Sequence, residues 1–151
     1  RHTRYWRDWS SDVCSSDLVN PASGGNHFAV GDMLDMHNYP DPVLGLFDNR
    51  RANVLGEYGG IGLVKEDHLW ENNRNWGYVQ YKSSEEATTA YLQLAEKLKK
   101  LIPFGYSAAV YTQTTDVETE INGLMTYDRK IIKLNADSVQ KVNREVIQIV
   151  K

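Results

Sequence analysis

Three short stretches put reactive side chains where an apolar run gives way to polar residues and turn formers: HNYPD at 37–41, GEYGG at 56–60 and YTQTTD at 111–116. In the second, Glu57 lies inside an apolar run and is followed at once by Tyr58 and two glycines. A carboxylate so placed is partly withdrawn from water, and a neighbouring phenol that hydrogen-bonds it sets its ionisation. That is the setting of a nucleophile or a general acid–base, with a salt-bridged structural glutamate as the ordinary alternative. Asp35 and His37 stand at alternate positions and could ligate a metal, but two ligands without a third make a poor site. Asp116, Glu118 and Glu120 form an acidic patch that is expected to be solvated loop charge.

The elements that would position these groups follow from periodicity and turn chemistry. Val19 to Gly31 has the Gly, Asn and Ser content of an irregular connection. Asp32 to Met36 reads as a strand ending near His37, because the two prolines of HNYPDP can continue neither a ladder nor a helix. Leu44 to Asn49 is expected to form a helical turn. Asn53 to Tyr58 reads as a second short strand running into Gly59, Gly60 and Gly62. A long polar and aromatic loop, EDHLWENNRNWGYVQYK, precedes the clearest element, a helix over Ser83 to Ile102. Ser83 and Glu86 make a capping box, Ala87, Tyr91, Leu94, Ala95 and Leu98 form one apolar stripe, and Pro103 ends it. Ser107 to Tyr111 fits a buried strand, Ile131 to Leu134 a short extended piece, and a last amphipathic helix starts at Asp137, with Asp137 as its cap and Gln140 three residues on. Short buried strands with helices outside them make an α/β pattern, in which polar residues after each strand gather on one face.

Composition narrows the classes. The chain has 151 residues, 41% hydrophobic and 25% charged, with a net charge of −3 and one cysteine. It lacks the basic block of a nucleic-acid surface and the apolar run of a membrane span. A single cysteine leaves no internal disulfide and no cysteine zinc site. Arg1 to Leu18 shows no apolar period and no signal-peptide core; read back into codons, it is compatible throughout with a short-read sequencing adapter and its index. It is therefore set aside as a library-derived segment, as a tag would be. It carries the cysteine, two of the four tryptophans, and three Arg against three Asp, so the net charge is unchanged without it.

VGDMLDMHNYPDP, RANVLGEYGGIGL and SAAVYTQTTDVETEINGLMTYDR together resemble the C-terminal third of the catalytic barrel of glycoside hydrolase family 2, which includes β-galactosidases, β-glucuronidases and β-mannosidases. The resemblance covers nearly all of residues 30–134. It implies an α/β fold that is part of a (β/α)8 TIM barrel, about its last three βα units, with strand six at Asp32 to Met36, strand seven at Asn53 to Glu57 and strand eight at Ala108 to Tyr111. Residues 19–151 are then the C-terminal fragment of the catalytic domain. By the same resemblance Glu57 is the nucleophile of a retaining β-glycosidase, and Tyr39 occupies the place of an aromatic residue that supports it, although a Tyr before Pro40 can equally be packing the turn. His37, Asn38 and Tyr58 lie where sugar hydroxyls would be bound. Tyr111 stands where the family commonly has a Trp under the sugar ring. Trp70, Trp76 and Tyr78 are further candidates for stacking on a pyranose, Trp76 foremost.

Retaining hydrolysis needs a second carboxyl group about 5–5.5 Å from the nucleophile and no cofactor. In the family it is a Glu after an Asn at the end of strand four. No such pair stands in a strand setting here, and a full barrel takes about 250 residues. The acid/base is accordingly expected upstream of Val19, in the missing N-terminal part of the same barrel, and the isolated chain is expected to be inactive. The expected partner is a carbohydrate substrate, with neither nucleic acid nor membrane. Two other readings stay open: a non-catalytic carbohydrate-binding or assembly module, and a metal-dependent hydrolase built on Asp35 and His37.

Overall fold

The structure, a computed structural model, describes residues 18–149. All but the last residue of the segment set aside as adapter-derived lies outside the described residues. The described residues fold into five strands and two long helices: β1 (Met33–His37), β2 (Ala52–Gly59), β3 (Ile61–Leu63), β4 (Val79–Tyr81), α1 (Ser84–Leu101), β5 (Tyr106–Thr112) and α2 (Ala136–Gln148). A single turn of tighter helix, Ile102–Phe104, follows α1 and carries Pro103. No helix among the described residues is long and apolar enough to cross a membrane.

The strands form two small parallel sheets, β1-β2-β5 and β3-β4. The expected partial TIM barrel of three βα units is not what the chain builds. Among the described residues the only strand–helix–strand passage within one sheet runs from β2 through α1 to β5. Between β1 and β2 no helix forms, and the helical turn expected at Leu44 to Asn49 is absent. Side chains there satisfy the backbone instead. Asp48 accepts from the amide of Arg50 and from Arg51 Nε, and the Asn53 side chain bonds both the amide and the carbonyl of Asp48. Such local bonds offer the chain an alternative to helical pairing. Beyond β2 the chain leaves the first sheet at Gly59 and Gly60 and starts the second. Its partner strand, β4, lies inside the stretch expected to be loop.

One irregularity in β2 sets the orientation of everything that follows. Against β1, Met36 pairs with Leu55 but His37 pairs with Glu57; against β5, Leu55 pairs with Ala109 and Tyr58 with Tyr111. On both sides β2 carries one extra residue after Leu55, a β-bulge at Gly56. Simple alternation would put Asn53, Leu55 and Glu57 on one face. The bulge instead keeps Asn53, Leu55 and Tyr58 on the buried face and turns Glu57 to the other, beside His37. A Cβ at Gly56 would collide with the Asp35 carboxylate, so the bulge needs glycine.

The core lies on the Leu55 and Tyr58 face, under α1. Ser83 is extended and its Oγ accepts from the Glu86 amide at 3.1 Å, while Glu86 reaches back to the Lys82 amide. Ala87, Ala90, Tyr91, Leu94, Ala95 and Leu98 form the buried stripe. The second helix begins earlier than expected. Asn135, not Asp137, caps it by accepting from the Ser138 amide at 2.9 Å, and Asp137 falls in the first turn, where its charge suits the helix dipole. Tyr91 ties the two helices by donating to Asn143 Oδ1 at 2.9 Å.

Candidate active site

Glu57 stands near the C-terminal end of the central strand with its side chain 41% exposed. The Tyr39 phenol donates to Glu57 Oε2 at 2.5 Å, and His37 Nδ1 lies 3.3 Å from the same oxygen. Glu57 Oε1 receives no bond from a described residue. Tyr39 is brought there by the turn after β1, where the Asn38 amide donates to the Glu57 carbonyl and the Asn38 side chain to the Asp41 carbonyl. Burial, then the hydrogen bond to Glu57, pushes the Tyr39 phenol well above its ordinary range, with the Thr112 side chain opposing the shift. Tyr39 therefore stays a donor at neutral pH.

His37 continues the cluster inward. Its Nε2 lies 3.8 Å from Asp35 Oδ1 and 3.3 Å from Ser23 Oγ, and its ring packs on Gly24, where a Cβ would not fit. Asp35 is buried and accepts from Asn20 Nδ2 at 2.7 Å through its other oxygen. The sequence had marked residues 19–31 only as irregular connection; nothing in their types points to Asn20 and Ser23 as partners of this site. No group of three His, Cys, Asp or Glu side chains arranged to hold a metal occurs among the described residues.

On its other side the Tyr39 ring stacks flat on Tyr78, with centroids 3.6 Å apart and planes 1° from parallel. Tyr78 in turn meets Trp76 edge to face at 5.5 Å. Both remain open to solvent, Trp76 by 43% and Tyr78 by 49%. Gly60, at φ +68°, makes room for this arm, since a Cβ there would come within 2.5 Å of the Tyr78 ring. Backbone bonds hold Trp76 in place: its amide donates to the Thr119 carbonyl and its carbonyl accepts from the Ile121 amide.

The structure thus brings together His37, Tyr39, Glu57 and, through Tyr78, Trp76, and it sets Asn38 in the connecting turn. Tyr58 and Tyr111 lie on the opposite face. Tyr58 is buried in the core and meets Tyr111 edge to face at 5.8 Å, while Tyr111 meets Tyr91 at 4.9 Å. The phenol expected beside Glu57 is therefore that of Tyr39, because the bulge separates Glu57 from Tyr58.

The acidic patch also differs from expectation. Glu118 is exposed, but Asp116 is buried and bonded to Lys133, whose side chain is fully enclosed. Lys133 Nζ donates to Asp116 Oδ1 at 2.6 Å and to the carbonyls of Ile121 at 2.8 Å and Leu63 at 3.1 Å. Burial pushes the Asp116 carboxyl up and the Lys133 ammonium down, and their pairing opposes both shifts. Lys133 thereby fastens the 113–126 loop, which holds Trp76, to β3. Its spacing in the sequence gave no sign of this.

No family model matches the chain, so the resemblance to glycoside hydrolase family 2 is not matched at that level. No curated protein matches it either. Six chains among solved structures do. One is an exo-β-agarase, a glycoside hydrolase, with a TM-score of 0.50 and 16% identity. The match covers 66% of this chain and 13% of the agarase chain, and at that identity the likeness is one of fold.

Proposed function

We propose that Glu57 is the nucleophile of a retaining β-glycosidase site of the family 2, β-galactosidase-like type. The observation that carries this is the clamp on one carboxylate oxygen. Tyr39 and His37 both engage Oε2, which leaves Oε1 to attack, and Tyr39, Tyr78 and Trp76 lead away from it as a run of ring contacts, the first stacked and the second edge to face. In the first half of a double displacement, Glu57 Oε1 bonds to the anomeric carbon and the glycosidic oxygen leaves. Tyr39 holds the carboxylate in orientation, and its bond is given up as charge leaves Glu57. Trp76 and Tyr78 offer their faces to the C–H side of the sugar. The glycoside hydrolase nature of the structural neighbour supports a carbohydrate-directed reading.

No Asn-Glu pair of the kind the family places at strand four occurs among the described residues. Asp35 lies over Gly56, with His37 between it and Glu57. The chain by itself should consequently show little or no turnover of nitrophenyl glycosides. A dinitrophenyl fluoro-β-galactoside needs no acid assistance, because dinitrophenolate departs unprotonated, and its fluorine slows release of the glycosyl ester. Mass spectrometry after incubation with that reagent should find one sugar adduct, mapped to Glu57 and missing in Glu57→Gln. An unlabelled chain, or a label elsewhere, overturns the nucleophile. Retention of sugar binding without labelling would favour a non-catalytic carbohydrate-binding module.

A further inference from the structure

A second aromatic pair lies outside the cluster around Glu57. Trp70 and Tyr127 meet edge to face with centroids 5.6 Å apart and planes 89° from parallel, and they remain 62% and 37% exposed. An edge-to-face pair leaves ring faces open to solvent, and exposed aromatic faces suit stacking on a ligand ring.

The pair is held on a stiff base. His68 Nδ1 lies 2.9 Å from Asp128 Oδ2, which joins the loop bearing Trp70 to the turn bearing Tyr127. That turn is closed by bonds from the Thr126 amide to the Ile131 carbonyl and from the Arg129 amide to the Thr126 carbonyl, with Thr126 Oγ1 donating to Asp128 Oδ1 at 2.7 Å. The Thr126 hydroxyl first, and His68 after it, hold the Asp128 carboxyl well below the usual carboxylate range. Rings fixed in this way lose little freedom when a ligand stacks on them.

The two aromatic clusters span the same pair of segments. Trp76 is bonded to residues 119–121, and Trp70 touches Tyr127 a few residues further along the same strand of chain. Trp70 and Trp76 are six positions apart, so their backbones are at most about 22 Å apart. Both clusters therefore fall within the reach of an oligosaccharide of a few sugar rings.

We propose that Trp70 and Tyr127 form a second platform, which stacks on a distal ring of a β-linked oligosaccharide whose reacting ring lies at Glu57. The site would then take a glycan chain in preference to a small glycoside. The inference rests on the reading of Glu57 as a glycosidase site. Calorimetric titration of the full chain with β-linked galacto-oligosaccharides of two and of six units tests it. The longer ligand should bind at least about tenfold tighter, equivalent to about 1.4 kcal/mol. Trp70→Ala should remove that advantage and leave the affinity for the shorter ligand unchanged, Trp70→Phe should keep most of it, and Trp76→Ala should weaken both ligands. Equal affinities for the two lengths, or a length advantage that survives Trp70→Ala, overturn the second platform. If labelling of Glu57 succeeds in the same preparation, the glycosidase reading survives that failure. Absence of labelling and of binding at either length overturns both.

Discussion

Tyr39 is the residue on which the candidate site turns, because its phenol supplies a charge-assisted bond to a half-exposed carboxylate. Bonds to charged groups contribute about 1.5–3 kcal/mol. Tyr39→Phe keeps the stacked ring and removes only the hydroxyl, so it should slow labelling of Glu57 by about tenfold or more while circular dichroism stays unchanged; an unaltered labelling rate would deny Tyr39 its positioning role. Lys133 makes the contrasting case at the same scale. Its ammonium is enclosed and fully bonded, so Lys133→Met leaves Asp116 buried without a cation and should cost about 3–5 kcal/mol in urea unfolding. Adding Asp116→Asn should recover part of that loss, since the amide oxygen can still accept from the Gly123 amide that Asp116 now serves. Glu57 was legible in the sequence because the apolar run before it and the tyrosine and glycines after it define its setting, and Tyr39 only through the family resemblance. Lys133 was not, because its three acceptors come from residues 12, 17 and 70 positions away.

Among the elements, β2 matters most, and the bulge at Gly56 is what sets Glu57 beside His37. A regular strand would bury Glu57 with Leu55 and turn Tyr58 to the face that now carries Glu57. Gly56→Ala sets a methyl group against the Asp35 carboxylate, and relieving that contact means shifting either the bulge or β1. It should destabilise the fold by about 1–3 kcal/mol in urea and lower the labelling of Glu57 beyond what the stability loss explains; full labelling with normal stability would show that the bulge tolerates a side chain. The helices were the more legible elements. Ser83 and the 3.6-residue apolar stripe locate α1 to within a residue. The start of α2 was displaced by two residues because Asn135 and Asp137 are both good caps, and the backbone bends at Asn135.

Over the whole molecule, the core is unusually rich in phenols. Burial raises the ionisation of Tyr58, Tyr91 and Tyr111 above the ordinary phenol value. In the unfolded chain these phenols ionise near pH 10, whereas in the folded chain they hold their protons. Above that pH the native state binds more protons than the unfolded one, so stability falls as pH rises, and it is fully present below about pH 10. Near-ultraviolet circular dichroism and phenolate absorbance should accordingly change together, in one cooperative step, as pH is raised through and beyond this range. Titration of all nine tyrosines near their ordinary value with an unchanged circular dichroism signal would contradict the buried-phenol account.

The sequence by itself determined where β1, β2, β5 and the two helices run, to within a residue or two, and that a carboxylate, an imidazole and a phenol stand near strand ends. Periodicity, caps and prolines act over a few residues, so a local reading suffices for them. Tertiary structure decided the face on which Glu57 lies, the choice of Tyr39 over Tyr58 as its phenol, the burial of Lys133 and the lack of a helix between β1 and β2. Each of the first three depends on partners distant in the chain. Tyr39 and Glu57 are 18 residues apart, and the bulge exists only in the register of β2 against both of its neighbours. The missing helix is different in kind: prolines and the Asp48–Asn53 bonds block it locally, but only the packed structure shows that those bonds win.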